Sequence, residues 1–186
     1  MGRLIKRIIL TGEHASGKTS FCRILHDETL RAGLTSTGIL TETERDKKLS
    51  IRDLYTDELR DLAVINPNFF KDNPHGSQES PLKTSRWIFH KEALEWGNKH
   101  IKQSPAADIF ILDEAGILEF ERNGGWCEGI RRTDRMIDRL AVIVVRPELT
   151  AMALDRWEDA GLITINPAHR EKIQDQIRQI LESAKK

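Results

Sequence analysis

The chain has 186 residues, with 29 Lys and Arg against 29 Asp and Glu, so its formal net charge is zero. That length suits a single domain, residues 1–186, with one sizeable core. The balanced charge argues against a broad electrostatic footprint for nucleic acid or an anionic membrane. The two cysteines, Cys22 and Cys127, stand far apart. They form neither a disulfide framework nor a metal-ligand spacing, and they suit a reducing, cytoplasmic setting. No apolar run is long enough to span a bilayer.

In chain order, Ile8-Ile9-Leu10 predicts a buried strand, too short for a signal-peptide core. Gly12, Glu13, His14, Ala15, Ser16, Gly17, Lys18 and Thr19 follow it and read G-x-x-x-x-G-K-T. The amphipathic stretch from about Gly17 to Arg31 predicts a helix that buries Phe21, Ile24 and Leu25 and closes at Gly33. Strand, glycine-containing loop and helix make up the P-loop, or Walker A, context. Backbone N–H groups converge on one concavity, and the helix adds its positive dipole end. Lys18 would lie against the β- and γ-phosphates of a nucleotide, and the Thr19 hydroxyl would ligate Mg²⁺. Ser20 completes the candidate phosphate-binding set.

Thr37 to Thr43 predicts a second strand, Asp46-Lys47-Lys48 a turn, and Leu49, Ile51 and Leu54 a third strand. Together they read as an antiparallel hairpin. Asn66 to Thr84 is rich in Pro, Asn, Ser and Gly and predicts a long loop. Trp87-Ile88-Phe89 suggests a short strand, and Lys91 to Lys102 a helix burying Ala93, Leu94 and Ile101.

Ile109-Phe110-Ile111-Leu112-Asp113-Glu114 is an apolar strand ending in two carboxylates, the Walker B pattern. Asp113 is expected to hold Mg²⁺, largely through water, because magnesium dehydrates reluctantly. Glu114 is placed to polarise an attacking water, which favours hydrolysis over transfer to an acceptor. Asn123-Gly124-Gly125 predicts a turn, Trp126 to Arg139 a helix, and Ala141 to Val145 a buried strand. Arg131, Arg135 and Arg139 would share one face of that helix, with Arg132 beside them and Asp134 and Asp138 interleaved. Pro147 starts a further helix that Gly161 ends, Leu162 to Ile165 suggests a last strand, and Ile173, Ile177, Ile180 and Leu181 mark a terminal helix.

Transition-state charge in nucleotide hydrolysis calls for arginine. Arg45, Arg146, Arg156 and Arg170 are the candidates, with Arg146 and Arg170 preferred and Arg156 on a possible lid. The four tryptophans read as packing residues by default. Asn98-Lys99-His100-Ile101 begins like a guanine-reading N-K-x-D motif but lacks its aspartate.

Beyond the two Walker motifs, Gly38 to Arg45 (GILTETER), Asp113 to Glu119 (DEAGILE) and Asn166 to Arg170 with the helix after it occur in a familiar order. In these segments the chain resembles the small P-loop nucleoside-triphosphatases of the thermophilic and human cancer-related type, along nearly its whole length. The resemblance implies an α/β, RecA-like three-layer fold, with a mostly parallel sheet, helices on both faces and an antiparallel hairpin. It also implies slow Mg²⁺-dependent hydrolysis of ATP, GTP and other triphosphates to the diphosphate and phosphate. Glu119 and Glu42 lie in family-like segments and are reserve candidates for the base. His14 and Ala15 depart from the Pro and Gly common in the family's loop, and His169 replaces the asparagine before Arg170. A nucleotide or nucleoside kinase, and a switch acting through a protein partner, stay open as alternatives.

Overall fold

The computed structural model describes residues 5–43, 48–67, 82–83, 86–122, 124–169 and 171–185. Among these, eight strands form one sheet: β1 (Arg7–Thr11), β2 (Ser36–Thr43), β3 (Lys48–Asp53), β4 (Leu59–Ile65), β5 (Trp87–Phe89), β6 (Ile109–Ala115), β7 (Leu140–Val145) and β8 (Gly161–Thr164). Their spatial order is β5-β4-β3-β2-β6-β7-β1-β8. β2, β6, β7, β1 and β8 run parallel, while β3, β4 and β5 join antiparallel at one side. The helices are α1 (Lys18–Arg31), α2 (Lys91–Gln103), α3 (Ile117–Glu121), α4 (Cys127–Arg135), α5 (Thr150–Arg156) and α6 (Lys172–Ala184). No helix among the described residues is long and apolar enough to cross a membrane.

The central strands are buried on both faces, and successive side chains go to opposite cores. Ile8, Leu10, Ile109, Ile111, Leu140, Val142 and Val144 pack with Phe21 and Leu25 of α1 and Ile177 and Ile180 of α6. Ile9, Phe110, Leu112, Ala141, Ile143 and Val145 pack on the other face with Leu94, Trp96, Ile130, Ala153 and Trp157. The three-layer α/β architecture therefore rests on the period-two alternation of a few apolar strands. Where β2 crosses beside β6, Gly38 has φ 117°, and a Cβ there would fall 1.9 Å from the Ile111 carbonyl oxygen. Only glycine allows that approach.

Several elements differ from expectation. The expected antiparallel hairpin of β2 and β3 is present, but the antiparallel part extends beyond it, because Leu59–Ile65, not expected as a strand, forms β4 between β3 and β5. The stretch Trp126 to Arg139 is not one helix: α4 stops at Arg135, and Met136 takes a left-handed backbone. Arg132 does not lie on a solvated face. It is 5% exposed, donates to both carboxylate oxygens of Asp138, and donates to the carbonyls of Ile101, Ser104 and Pro105. Its neighbour Arg139 sits outside the helix and pairs with Asp108 at 3.3 Å. Helix α5 ends at Arg156, and Gly161 opens β8 instead of closing a helix. Trp96, Trp126 and Trp157 are buried in the core, as their default reading requires.

Candidate active site

The loop between β1 and α1 lies where the parallel strands end, the edge at which open α/β sheets place their ligands. Gly12 has φ 154°, and a Cβ on it would meet the Ile165 carbonyl at 2.6 Å and Ser16 Oγ at 2.7 Å. Ile165 N–H donates to the Thr11 carbonyl at 2.7 Å, so the end of β8 braces the start of the loop. Ser16 N–H donates to the Glu13 carbonyl, and Phe21 N–H to that of Gly17, which opens α1. Ala15 has φ 58° and Gly17 φ 102°. The alanine at the family's glycine position therefore still adopts a left-handed backbone. Glu13, His14, Ala15 and Ser20 are exposed at the surface.

Lys18 is buried, and its Nζ donates back across the loop to the carbonyls of Gly12 at 2.7 Å and Glu13 at 3.0 Å. Ser16 Oγ is buried with no hydrogen-bond partner. A loop that folds a cation over itself and leaves a buried hydroxyl unpaired is built for an anion with several acceptor oxygens.

Asp113 is 1% exposed. It is hydrogen-bonded to the Thr19 side chain and accepts from Thr41 N–H at 3.3 Å, while Thr41 Oγ1 donates to the Asp113 carbonyl at 2.5 Å. Burial pushes its carboxyl up to about 7; Thr19 opposes the rise, the Glu114 charge adds to it, and Thr41 N–H and Lys18 oppose it. A divalent cation supplies the positive charge that would reverse this shift. The two residues expected to share a metal are thus in contact, from α1 and β6, 94 positions apart. This pairing of a hydroxyl with a buried carboxylate fits a hard, oxygen-seeking ion.

Glu114 follows on β6, with the Asp113–Glu114 peptide cis. Arg146 Nε donates to Glu114 Oε1 at 2.5 Å, joining two of the sequence candidates. The backbone of Arg146 is held by Leu149 N–H and by Thr150 Oγ1, whose hydroxyl also lies 3.1 Å from Thr11 Oγ1 at the end of β1.

Other candidates are committed elsewhere. Glu119 accepts from the N–H groups of Gly116 and Trp126, both at 2.7 Å, and burial raises its carboxyl. Glu42 accepts from Arg23 and Arg52. Arg156 is not a lid over the loop. It forms a two-point pair with Asp134, which also accepts from Trp157 Nε1, beside Arg7 at the opposite end of β1. The Asn98 side chain ties α2 to the Gly125 carbonyl and to Glu128 N–H, a packing role unrelated to base recognition. Arg45, Arg170 and most of the Asn66 to Thr84 loop lie outside the described residues.

Two features were not anticipated. A cavity of about 190 Å³ shares Ile165 with the floor of the loop and is lined also by Asn166, Lys172 and Gln176. Arg86, just before β5, places Nη1 3.2 Å from His14 Nε2. The only sequence signal for that contact is a basic residue next to a tryptophan.

The solution structure of a human cancer-related nucleoside triphosphatase superposes with a TM-score of 0.66, covering 95% of this chain and 96% of the other at 13% identity. The crystal structure of THEP1 from the hyperthermophile Aquifex aeolicus gives a TM-score of 0.59, covering 94% and 98% at 19% identity. No curated protein matches the sequence. The sequence model of the NTPase family does match, over residues 7–178, from β1 into α6. A match of that extent takes in the phosphate loop, both strand-end carboxylates and the last strand; the chain belongs to the NTPase family and is a nucleoside-triphosphate hydrolase.

Proposed function

We propose that the protein is a Mg²⁺-dependent nucleoside triphosphatase with broad base tolerance, converting ATP, GTP and other triphosphates to the diphosphate and phosphate. The observation that carries this reading is the convergence of Lys18, Thr19 and Asp113 on one point, with Glu114 next to it in an ion pair. The triphosphate binds along residues 12–20, and Lys18 exchanges the Gly12 and Glu13 carbonyls for β- and γ-phosphoryl oxygens. The Thr19 hydroxyl and Asp113 would hold Mg²⁺, which would supply positive charge against that of the phosphates. Glu114 accepts a proton from the attacking water, and Arg146 fixes the direction of that carboxylate. The base lies toward the cavity beside Ile165. Asn166 and Gln176 there carry amides that both donate and accept, so neither purine edge is favoured.

The test is phosphate release from a panel of triphosphates in Mg²⁺ and in excess EDTA, with and without candidate phosphate acceptors. Acceptor-independent, Mg²⁺-requiring release from several triphosphates is expected. Release only with an acceptor, or undiminished release in EDTA, contradicts the proposal.

A further inference from the structure

The antiparallel strands bring one residue to the phosphate loop that belongs to neither Walker motif. β4 runs toward the same sheet edge as the parallel strands, and β5 begins there, with Ile65 opposite Trp87. Asn66 N–H donates to the Arg86 carbonyl at 2.8 Å, which fixes the Arg86 backbone at the top of this pair. Its guanidinium carbon lies over the Trp87 ring, 5.2 Å from its centre, within cation–π range. From there Nη1 reaches His14 Nε2 at 3.2 Å. Arginine nitrogens only donate, so His14 Nε2 accepts. His14 is exposed in the middle of the loop, between Gly12 and Gly17. The cation is therefore parked at the rim of the phosphate site, held from below by an aromatic ring.

Of the arginines expected from the sequence to serve the transition state, two are among the described residues. Arg146 is joined to Glu114, and Arg156 to Asp134 at the far end of β1. We propose that Arg86 is a built-in catalytic arginine, which leaves His14 for the γ-phosphoryl group of the bound triphosphate and offsets the charge that develops during hydrolysis. The inference rests on the hydrolytic reading of this loop given above. In the step it serves, water oxygen bonds to the γ-phosphorus and its proton passes to Glu114. The bond from the γ-phosphorus to the β–γ bridging oxygen breaks, and its electron pair stays on the departing diphosphate. The guanidinium donates to the oxygens on which that charge collects. His14 is a positioning residue that keeps the arginine beside the loop before substrate arrives.

The experiment compares the wild type with Arg86→Ala and Arg86→Gln, the second keeping a donor for His14 while removing the charge. Three quantities are measured: Mg·ATP affinity, single-turnover hydrolysis, and Mg·ADP affinity with and without fluoroaluminate as a transition-state mimic. Both variants are expected to bind Mg·ATP nearly as the wild type does, to lose turnover by about a thousandfold, the lower end for an arginine of this kind, and to lose the extra ADP affinity that fluoroaluminate confers. If Arg86→Ala does not fold, Arg86→Gln carries the test alone. Wild-type turnover in a folded variant, retained fluoroaluminate enhancement, or a fall in ATP affinity as large as the fall in turnover overturns the proposal while leaving the hydrolase reading intact. Absence of acceptor-independent hydrolysis in the wild type overturns both.

Discussion

Arg146, one residue beyond β7, donates its Nε to the Glu114 carboxylate on neighbouring β6 at 2.5 Å, so the strand-end acid does not project alone into solvent. The pair is part-exposed, with 30% of the Glu114 side chain and 56% of the Arg146 side chain accessible. At that exposure it contributes little to stability, and its consequence is directional. Glu114→Gln is expected to keep Mg·ATP affinity and lose hydrolysis by about a hundredfold or more, as for a general base. Arg146→Ala, which frees the carboxylate without deleting it, should cost less in kcat and leave the melting temperature nearly unchanged. Equilibrium binding and single-turnover rates on both variants check this; an Arg146→Ala loss exceeding that of Glu114→Gln would give the arginine the larger role.

Lys18 spans the loop by donating to two of its carbonyls. Lys18→Ala should therefore weaken triphosphate binding and abolish turnover. Asp113→Asn should raise the Mg²⁺ concentration needed for half-maximal rate, because the neutral amide attracts the cation less. A magnesium titration of phosphate release reads this directly, and an unchanged midpoint would remove Asp113 from the metal site.

Ala15 holds a left-handed backbone, at φ 58°, which an L-residue with a Cβ adopts at a cost of about 1–2 kcal/mol. Ala15→Gly relieves that cost but gives the unfolded chain more freedom. A net gain of about 0.5–1 kcal/mol is expected from denaturant unfolding. Ala15→Val should lose stability, since a β-branched residue fits this backbone least. No gain from glycine would mean that the alanine is unstrained.

Asp108 Oδ2 accepts from both the N–H and the hydroxyl of Thr35 at 2.9 Å. The Thr35 N–H first, against a smaller opposing effect of burial, then the Thr35 hydroxyl and Arg139, hold this carboxyl below the usual aspartate value. A depressed folded value means that the unfolded chain binds more protons in that window. The stabilisation is present above the ordinary aspartate pKa and disappears as pH falls through the folded one. Asp108→Asn should cost about 1 kcal/mol near neutrality, with the gap to wild type closing as the pH falls well below the ordinary aspartate value. Chemical unfolding at the two pH extremes measures this, and a constant gap would contradict it.

Glu119 satisfies two backbone donors with its two oxygens. Glutamine offers only one acceptor oxygen. Glu119→Gln should leave one N–H unpaired in a buried setting and destabilise by about 1–3 kcal/mol. Per folded molecule, activity should be preserved; a specific loss of turnover with unchanged stability would return Glu119 to the chemistry.

The parts of this molecule that could be read from sequence share a physical reason. Ile109 to Leu112 and Ala141 to Val145 are unbroken apolar runs because both faces of β6 and β7 are covered, and the loop after β1 has its residues in fixed local spacing. β4 was hidden because Leu59, Arg60 and Asp61 are exposed at its start, giving no alternation to detect. The expected helix from Trp126 to Arg139 overruns the observed one because no Gly or Pro between Arg131 and Arg139 marks an end. The left-handed Met136 ends it, and Asp138 turns back to bind Arg132 and Ala107 N–H. The meeting of Arg86 with His14 spans 72 positions. No local pattern encodes such a contact; it exists only because the antiparallel strands fold back to the edge where the loop lies.

The closeness of Gly38 to Ile111 affects how variants of this protein should be sorted. A methyl group at Gly38 would collide with backbone, so nearly any missense change there should remove the protein from the soluble pool, as damagingly to a cell as the loss of Lys18. A survey scored only on growth or total activity would rank the two positions together and make Gly38 look like part of the chemistry. Scoring abundance alongside turnover per molecule would separate them: position 18 variants would accumulate as intact, silent enzyme, and position 38 variants would scarcely accumulate at all.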